Sequence, residues 1–279
     1  MRFATINGRA ALVTDDGYVD LHDASGGDLP SDALAALDRW EDVRTFASSA
    51  PPATGAFETS QLGAPVPNPR QVFALAANYR DHAAEAGIDL PEQPYVFTKF
   101  PSCIAGPHDD VLLGGHRVDW EVELVVVIGR RCKDVPLDQA WDVVAGLTVG
   151  QDISDRKVQF RKPFPHLAVS KSFPTYGPTG PWITTADELP DPAALPLRCS
   201  INDELMQDST TEQLYFDVPA LVASISSMVE LLPGDLIFTG TPAGVGSTRD
   251  PRLYLKPGDV ITSEIPGIGI MRNLCVEKG

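Results

Sequence analysis

The four cysteines of this sequence (Cys103, Cys132, Cys199, Cys275) stand far apart at irregular spacings, and no C-x-x-C pair occurs. Such spacing supports neither a zinc site nor a disulfide framework and points to reduced, mostly buried thiols. Long apolar runs are also missing. The longest strongly apolar stretch, residues 124–129, is far short of the roughly 20 residues that a membrane helix needs. The opening Met-Arg-Phe-Ala-Thr-Ile-Asn-Gly lacks the apolar segment of a signal peptide, so a cytoplasmic protein with no membrane partner is expected. Basic residues are scarce, 22 against 38 acidic ones, for a net charge of -16. That balance repels phosphate backbones and disfavours nucleic acid or an anionic membrane as a partner. No G-x-x-x-x-G-K-[ST] occurs and no G-x-G-x-x-G opens a helix, so the nucleotide fingerprints are absent, and there is no internal repeat.

At 279 residues the chain is long enough to bury a substantial core without crosslinks. With 23 glycines, 25 prolines and many short runs of Val, Ile and Leu, it reads as β structure joined by turns. Strands are expected at 72–75, 122–128, 197–201, 236–239 and 260–265, and helices at 31–40, 137–144 and 218–231. A hairpin is expected from 3–6 and 10–13 around Asn7-Gly8. Five prolines between residues 50 and 69 mark an extended connector, which divides a small N-terminal domain (residues 1–66) from a catalytic domain (residues 67–279).

The most informative passage is Asp119-Trp120-Glu121-Val122-Glu123-Leu124, which runs into a very apolar strand. Alternation places Glu121 and Glu123 on one face. Like charges so close raise each other's pKa unless a cation lies between them, and Mg²⁺ is commonly held by one or two carboxylates plus substrate and water. Asp152, after another short apolar run, is the third candidate ligand. Taken alone, E-x-E also fits a strand with a solvated face. Between residues 156 and 171 lie five basic residues (Arg156, Lys157, Arg161, Lys162, Lys171) and no acid, either a solvated loop or a wall that accepts a small anion.

His82 and Glu85, three apart on a short predicted helix ended by Gly87, form a general-base arrangement in which the carboxylate orients the imidazole. A surface histidine beside an incidental acid has the same spacing. Thr239-Gly240-Thr241-Pro242-Ala243-Gly244-Val245-Gly246 is a glycine-rich turn after a strand, where backbone N–H groups can approach an anion or simply close a turn. Ser154 and Lys157 form S-x-x-K without the companion motifs of penicillin-recognising enzymes.

Together these passages resemble the fumarylacetoacetate hydrolase family over nearly all of residues 70–279. Asn78-Tyr79-Arg80-Asp81-His82-Ala83-Ala84-Glu85 is similar to the family's N-Y-x-x-H-x-x-E, and 119–124 to D-[YW]-E-x-E-L. Residues 151–159 are similar to N-D-[VI]-S-x-R-x-x-Q, and Lys171-Ser172-Phe173, Gly180-Pro181-Trp182, Pro233-Gly234-Asp235 and Thr239-Gly240-Thr241-Pro242 follow in the family's order. The resemblance implies an α+β, mainly β fold, a mixed β-sandwich roll behind a small N-terminal domain, assembled as a homodimer. It implies Mg²⁺ or Mn²⁺ held by Glu121, Glu123 and Asp152, a water-activating pair of His82 and Glu85 on a mobile lid, and Lys171 as the cation facing the reacting oxygen. Lys99, Arg156, Gln159, Thr241 and Gly240 would line the pocket of a small 2-oxo acid. The expected reaction is hydrolysis of a C–C bond in an acylpyruvate. Decarboxylation of oxaloacetate and isomerisation or hydration of an oxo-dienoate are the alternatives, and a non-catalytic carboxylate-binding protein is a reading of another class. Three departures bear on the substrate: Pro174 follows Lys171-Ser172-Phe173 where an acid is frequent, Gln151 replaces a frequent Asn, and Asp203 stands where Gly is common.

Overall fold

A computed structural model describes residues 1–278. The chain opens on a meander of β1 (Arg2–Ile6), β2 (Arg9–Thr14) and β3 (Gly17–Asp20), with Asn7 and Gly8 both at positive φ in the first turn. Helices α1 (Leu21–Ala24), α2 (Ala33–Asp38) and α3 (Trp40–Ser48) follow. The single helix expected at 31–40 is therefore two short ones. Asp32 caps α2 through the Ala35 N–H, and the backbone turns at Arg39 (φ -114°, ψ 36°). The turn lets the buried Trp40 meet Phe3 edge-on at 5.5 Å between ring centroids. The connector carries a two-residue strand, β4 (Leu62–Gly63), paired with β1.

Beyond it come β5 (Val72–Ala76), α4 (Arg80–Ala86), β6 (Tyr95–Thr98), β7 (Ile104–Ala105), β8 (Val111–Leu113), β9 (Val118–Asp119), β10 (Val122–Ile128) and β11 (Val144–Gln151). The expected helix at 137–144 is a 3₁₀ helix, Leu137–Val143, directly after Pro136. Then follow β12 (Ser154–Asp155), α5 (Arg156–Gln159), α6 (Leu167–Ser170), β13 (Gly177–Thr184), β14 (Pro196–Ile201) and β15 (Glu204–Thr210). The last elements are α7 (Val218–Met228), β16 (Leu236–Phe238), β17 (Val260–Ile265) and β18 (Gly269–Glu277). Asn202 and Asp203 close the β14–β15 hairpin at φ 52° and 67°, a geometry that explains a glycine preference and that Asn and Asp tolerate.

The result is an α+β, mainly β fold. The larger sheet runs β3-β2-β1-β13-β11-β10-β16-β5-β6, the smaller β15-β14-β17-β18-β8, and β9 pairs with β12. Hydrogen bonding crosses the division at residue 66, because β1 pairs with β13 and continues the sheet that carries the site. Strand β10 lies at the centre and is buried on both faces. Val122, Leu124, Val126 and Ile128 join the main core with Leu197, Ile261 and Met271 of the smaller sheet, whereas Val125 and Val127 pack with Leu37, Trp40 and Val43 of the N-terminal helices. Burial on both faces accounts for a continuous apolar run rather than an alternating one. Among the described residues no helix is long and apolar enough to cross a membrane.

Candidate active site

Glu123 shares the face of Val125 and Val127 but lies nearer the start of β10. Glu121 precedes the strand, and Asp152 follows β11, where its N–H donates to the Glu121 carbonyl at 2.9 Å. The three carboxylates are buried and offer ligand atoms all within 4.8 Å of one another, so they could hold a metal ion. Antiparallel pairing of β10 with β11 sets Glu123 opposite Gly150, where a Cβ would come within 2.4 Å of Val125.

Three buried cations serve this cluster. Lys171 Nζ donates to Glu121 Oε2 (2.7 Å), Asp152 Oδ2 (2.6 Å) and Ser154 Oγ (2.8 Å), which uses all three of its N–H bonds. The free donor expected toward the reacting oxygen is thus committed to the protein, and the cavity receives the charge of Lys171 instead. Arg156 donates through Nε to Asp119 (2.8 Å), through one terminal nitrogen to Glu121 (2.6 Å) and through the other to Gln159 Oε1 (2.8 Å). Lys99, expected at the pocket wall, is fully buried behind Asp152. Its Nζ donates to Asp152 Oδ1 (2.6 Å), to the Tyr176 carbonyl (3.1 Å) and to the Lys171 carbonyl.

These pairings leave one carboxylate without a cation. Burial alone would raise the Glu121 carboxyl, but Lys171 and Arg156 outweigh it and bring it down to about 2. The Glu123 carboxyl is pushed well above the usual range, first by burial and then by Asp152 and Glu121. Among the described residues Glu123 forms no ion pair, and it accepts a hydrogen bond from the Gly240 N–H (2.7 Å). A buried, unneutralised carboxylate beside two others suits a bound divalent ion.

The glycine-rich turn does approach anions, and they are the protein's own. Gly240 N–H donates to Glu123, Gly244 N–H to both oxygens of Glu85 (3.0 and 3.1 Å), and the Gly246 and Ser247 N–H groups to Asp119 (2.7 and 2.9 Å). A Cβ at Gly244, where φ is +104°, would lie 2.1 Å from the Met206 carbonyl oxygen. Thr241 hydroxyl donates to the Val122 carbonyl and accepts from Gln207 Nε2. Gly240 and Thr241 therefore shape the site through these internal bonds.

Helix α4 brings His82 to within 3.4 Å of Glu85 (Nδ1 to Oε2). Burial works to raise the Glu85 carboxyl, but the His82 contact and the Gly244 N–H hold it below the usual range. Gly87 ends the helix at φ 63°. Asn78 explains the start of the motif: its amide donates to the Phe216 and Thr239 carbonyls and its oxygen accepts from the Phe216 N–H. His82, Glu121, Arg156, Gln159, Lys171 and Thr241 face one cavity of about 420 Å³, whose outer wall includes Ile88, Tyr95, Phe97 and Phe160.

Sequence reasoning gives no separate role to several residues that hold this site. Asp119 anchors Arg156 and three backbone N–H groups, and Ser154 bonds Lys171 and the Asp152 carbonyl. Gln151 accepts from the Glu121 N–H and donates to Ser263, so its side chain ties the site to the smaller sheet. The acid and serine flanking the ligand motifs were the available signal, and Gln151 stood at the Asn position of the N-D-[VI]-S motif.

A mixed β fold with a buried carboxylate cluster, clamped by cations and faced by a histidine–glutamate pair, defines an enzyme site. The chain belongs to the Fumarylacetoacetate (FAA) hydrolase C-terminal family, whose pattern matches residues 71–276. It is 39% identical over 266 residues to the Bos taurus protein named oxaloacetate tautomerase FAHD2B, mitochondrial, covering 93% of this chain and 84% of that one. Among solved structures, a putative HpcE protein from Mycobacterium smegmatis is 45% identical, with a TM-score of 0.94 and coverage of 100% of both chains. Maleylpyruvate hydrolase from Sphingobium sp. SYK-6, solved with manganese (II) and pyruvate, is 31% identical, with a TM-score of 0.81 and coverage of 100% of both chains.

Proposed function

We propose that this enzyme moves a proton between carbon and oxygen of a small 2-oxo acid, interconverting its keto and enol forms, with oxaloacetate as the candidate substrate. The observation that carries the reading is His82, which lines the cavity floored by Glu121 and Lys171 and has the Glu85 carboxylate within 3.4 Å of its ring. Glu121, Glu123 and Asp152 would hold Mg²⁺ or Mn²⁺, which when bound would supply positive charge to the oxygens of a 2-oxo acid and so favour its enolate. His82 takes the proton from the carbon next to the oxo group and returns one to the oxo oxygen. Glu85, kept ionised and anchored by Gly244, orients the imidazole and stabilises it when protonated. Arg156 and Lys171 fix Glu121 and offset its charge beside the cavity. The relatives named as oxaloacetate tautomerases support this assignment over the acylpyruvate hydrolysis expected from sequence.

Hydrolysis is the second reading, favoured by the maleylpyruvate hydrolase neighbour. There His82 deprotonates a water that attacks the distal carbonyl, the C–C bond breaks, and the enolate fragment takes up a proton. Both readings are tested on the Mn²⁺-loaded protein by following enol-to-keto conversion of oxaloacetate and cleavage of an acylpyruvate in wild type and His82→Ala. Tautomerisation should dominate and fall by about 10²–10⁴-fold in the variant, the range of general-base catalysis. Faster acylpyruvate cleavage would reverse the ranking, and an unchanged rate in His82→Ala would remove His82 from the chemistry. A homodimer is proposed on the family resemblance, and sedimentation equilibrium reads it directly.

A further inference from the structure

A second cavity, of about 440 Å³, shares Arg156, Phe160, Ser247 and Thr248 with the first, so the two are adjacent. Its remaining wall carries Arg117, Lys157 and Arg252, and no acidic residue lines it. None of these three cations forms an ion pair or a side-chain hydrogen bond among the described residues. Other cations of the chain, such as Arg161 and Arg272, are unpaired among those residues as well, and what sets these three apart is that they share one cavity wall. Each cation has an acid two residues away in sequence: Asp155 accepts from the N–H groups of Lys157 and Val158, Asp119 is bound to Arg156 and to the Gly246 and Ser247 N–H groups, and Asp250 forms no ion pair among the described residues.

The backbone segments that carry these exposed cations are held in register. The three segments are locked together by backbone bonds: Arg156 N–H to the Arg117 carbonyl (2.9 Å), Leu255 N–H to the Val118 carbonyl (2.8 Å) and Leu253 N–H to the Gly246 carbonyl (3.0 Å). A concave surface of one sign focuses field and concentrates counter-ions, and two guanidinium groups offer the paired donors that oxyanions accept.

We propose that this cavity is an oxyanion-binding vestibule of the active site, in which Arg117, Lys157 and Arg252 hold a phosphate or carboxylate group. The group comes either from a free anion or from the distal carboxylate of a substrate lying in the main cavity; the second source rests on the functional reading above. The variant is Arg117→Gln/Lys157→Gln/Arg252→Gln, in the Mn²⁺-loaded full chain, with its oxalate affinity as the check that the main site is intact.

Calorimetric titration with inorganic phosphate at low ionic strength is the first arm. A tenfold or greater loss of affinity in the variant identifies a site for free anions. The second arm compares KM for a dicarboxylic and a monocarboxylic 2-oxo acid. A rise of tenfold or more for the diacid alone identifies the substrate's own carboxylate as the occupant. If phosphate binding is absent or equal in both proteins and both KM values are unchanged, the vestibule is refuted. If the wild type turns over neither acid, the functional reading fails while the phosphate arm still decides the anion site.

Discussion

Lys99→Met separates a residue that supports the site from one that touches substrate. The side chain is fully buried, and its ammonium meets Asp152 and two backbone carbonyls, with the Phe238 ring 5.6 Å away. Methionine fills nearly the same volume, so the change removes the charge and its three donated bonds without opening a large cavity. Removing one member of a buried ion pair costs about 3–5 kcal/mol, and here Asp152 keeps only Lys171 while two buried carbonyls lose their donor. At roughly 2–4 °C per kcal/mol for a chain somewhat smaller than this one, the midpoint of thermal unfolding should fall by roughly 6–20 °C. Asp152 also loses one of its two orienting cations, and loss of such supporting contacts typically weakens metal binding by about 10–100-fold. Urea unfolding monitored by tryptophan fluorescence gives the stability, and calorimetric titration with Mn²⁺ gives the affinity. A variant of wild-type stability and metal affinity that shows only a raised KM would refute the argument and return Lys99 to the substrate wall.

Alanine at Glu121, Glu123 or Asp152 should abolish tight Mn²⁺ or Mg²⁺ binding, since each removes one of three charged ligands; unchanged calorimetric affinity in all three would remove the site. Helix α4 is pinned by Arg80 to the Leu214 carbonyl, by Asp81 to Ser209 and by Glu85 to Gly244, whereas residues 88–94 beyond Gly87 are mostly exposed. Hydrogen exchange should therefore be slow in α4 and fast in 88–94, and oxalate with Mn²⁺ should slow the latter; equal exchange with and without ligand would count against a lid. Burial pushes the Cys199 and Cys275 thiols up to about 12 and also raises Cys103, while Cys132 is only half-buried. Ellman's reagent at neutral pH should label Cys132 first and the other three only on unfolding, as peptide mapping would show.

Much of the central architecture was legible because it depends on short-range pattern. Strands β10 and β17 occupy the expected residues, and β5, β14 and β16 differ from expectation by a residue at one end. The Asn7-Gly8 turn forms because its two positive φ angles are local properties. The break at Arg39 was not legible: the apolar spacing of 31–40 suits one helix, and the turned geometry buries Trp40 among residues distant in sequence, such as Phe3, Val125 and Val127. The connector's prolines likewise mark an extended segment but not that β1 beyond it would join β13.

By itself the sequence determined which acids, which histidine and which cations gather at the site, since their motifs combine residue type with strand or helix spacing. Only the tertiary structure decided what each one faces. Lys99 and Lys171 are alike in sequence, yet one lies behind Asp152 and the other lines the cavity between Glu121 and Asp152. The glycine-rich turn was legible as a stretch of accessible backbone N–H groups, but Glu123, Glu85 and Asp119, which occupy them, come from elements between 117 and 159 residues away. The unpaired cations at Arg117, Lys157 and Arg252 lie on one wall for the same reason. Charge pairing is set by distance in space, and a linear pattern carries that information only within a turn or along a strand.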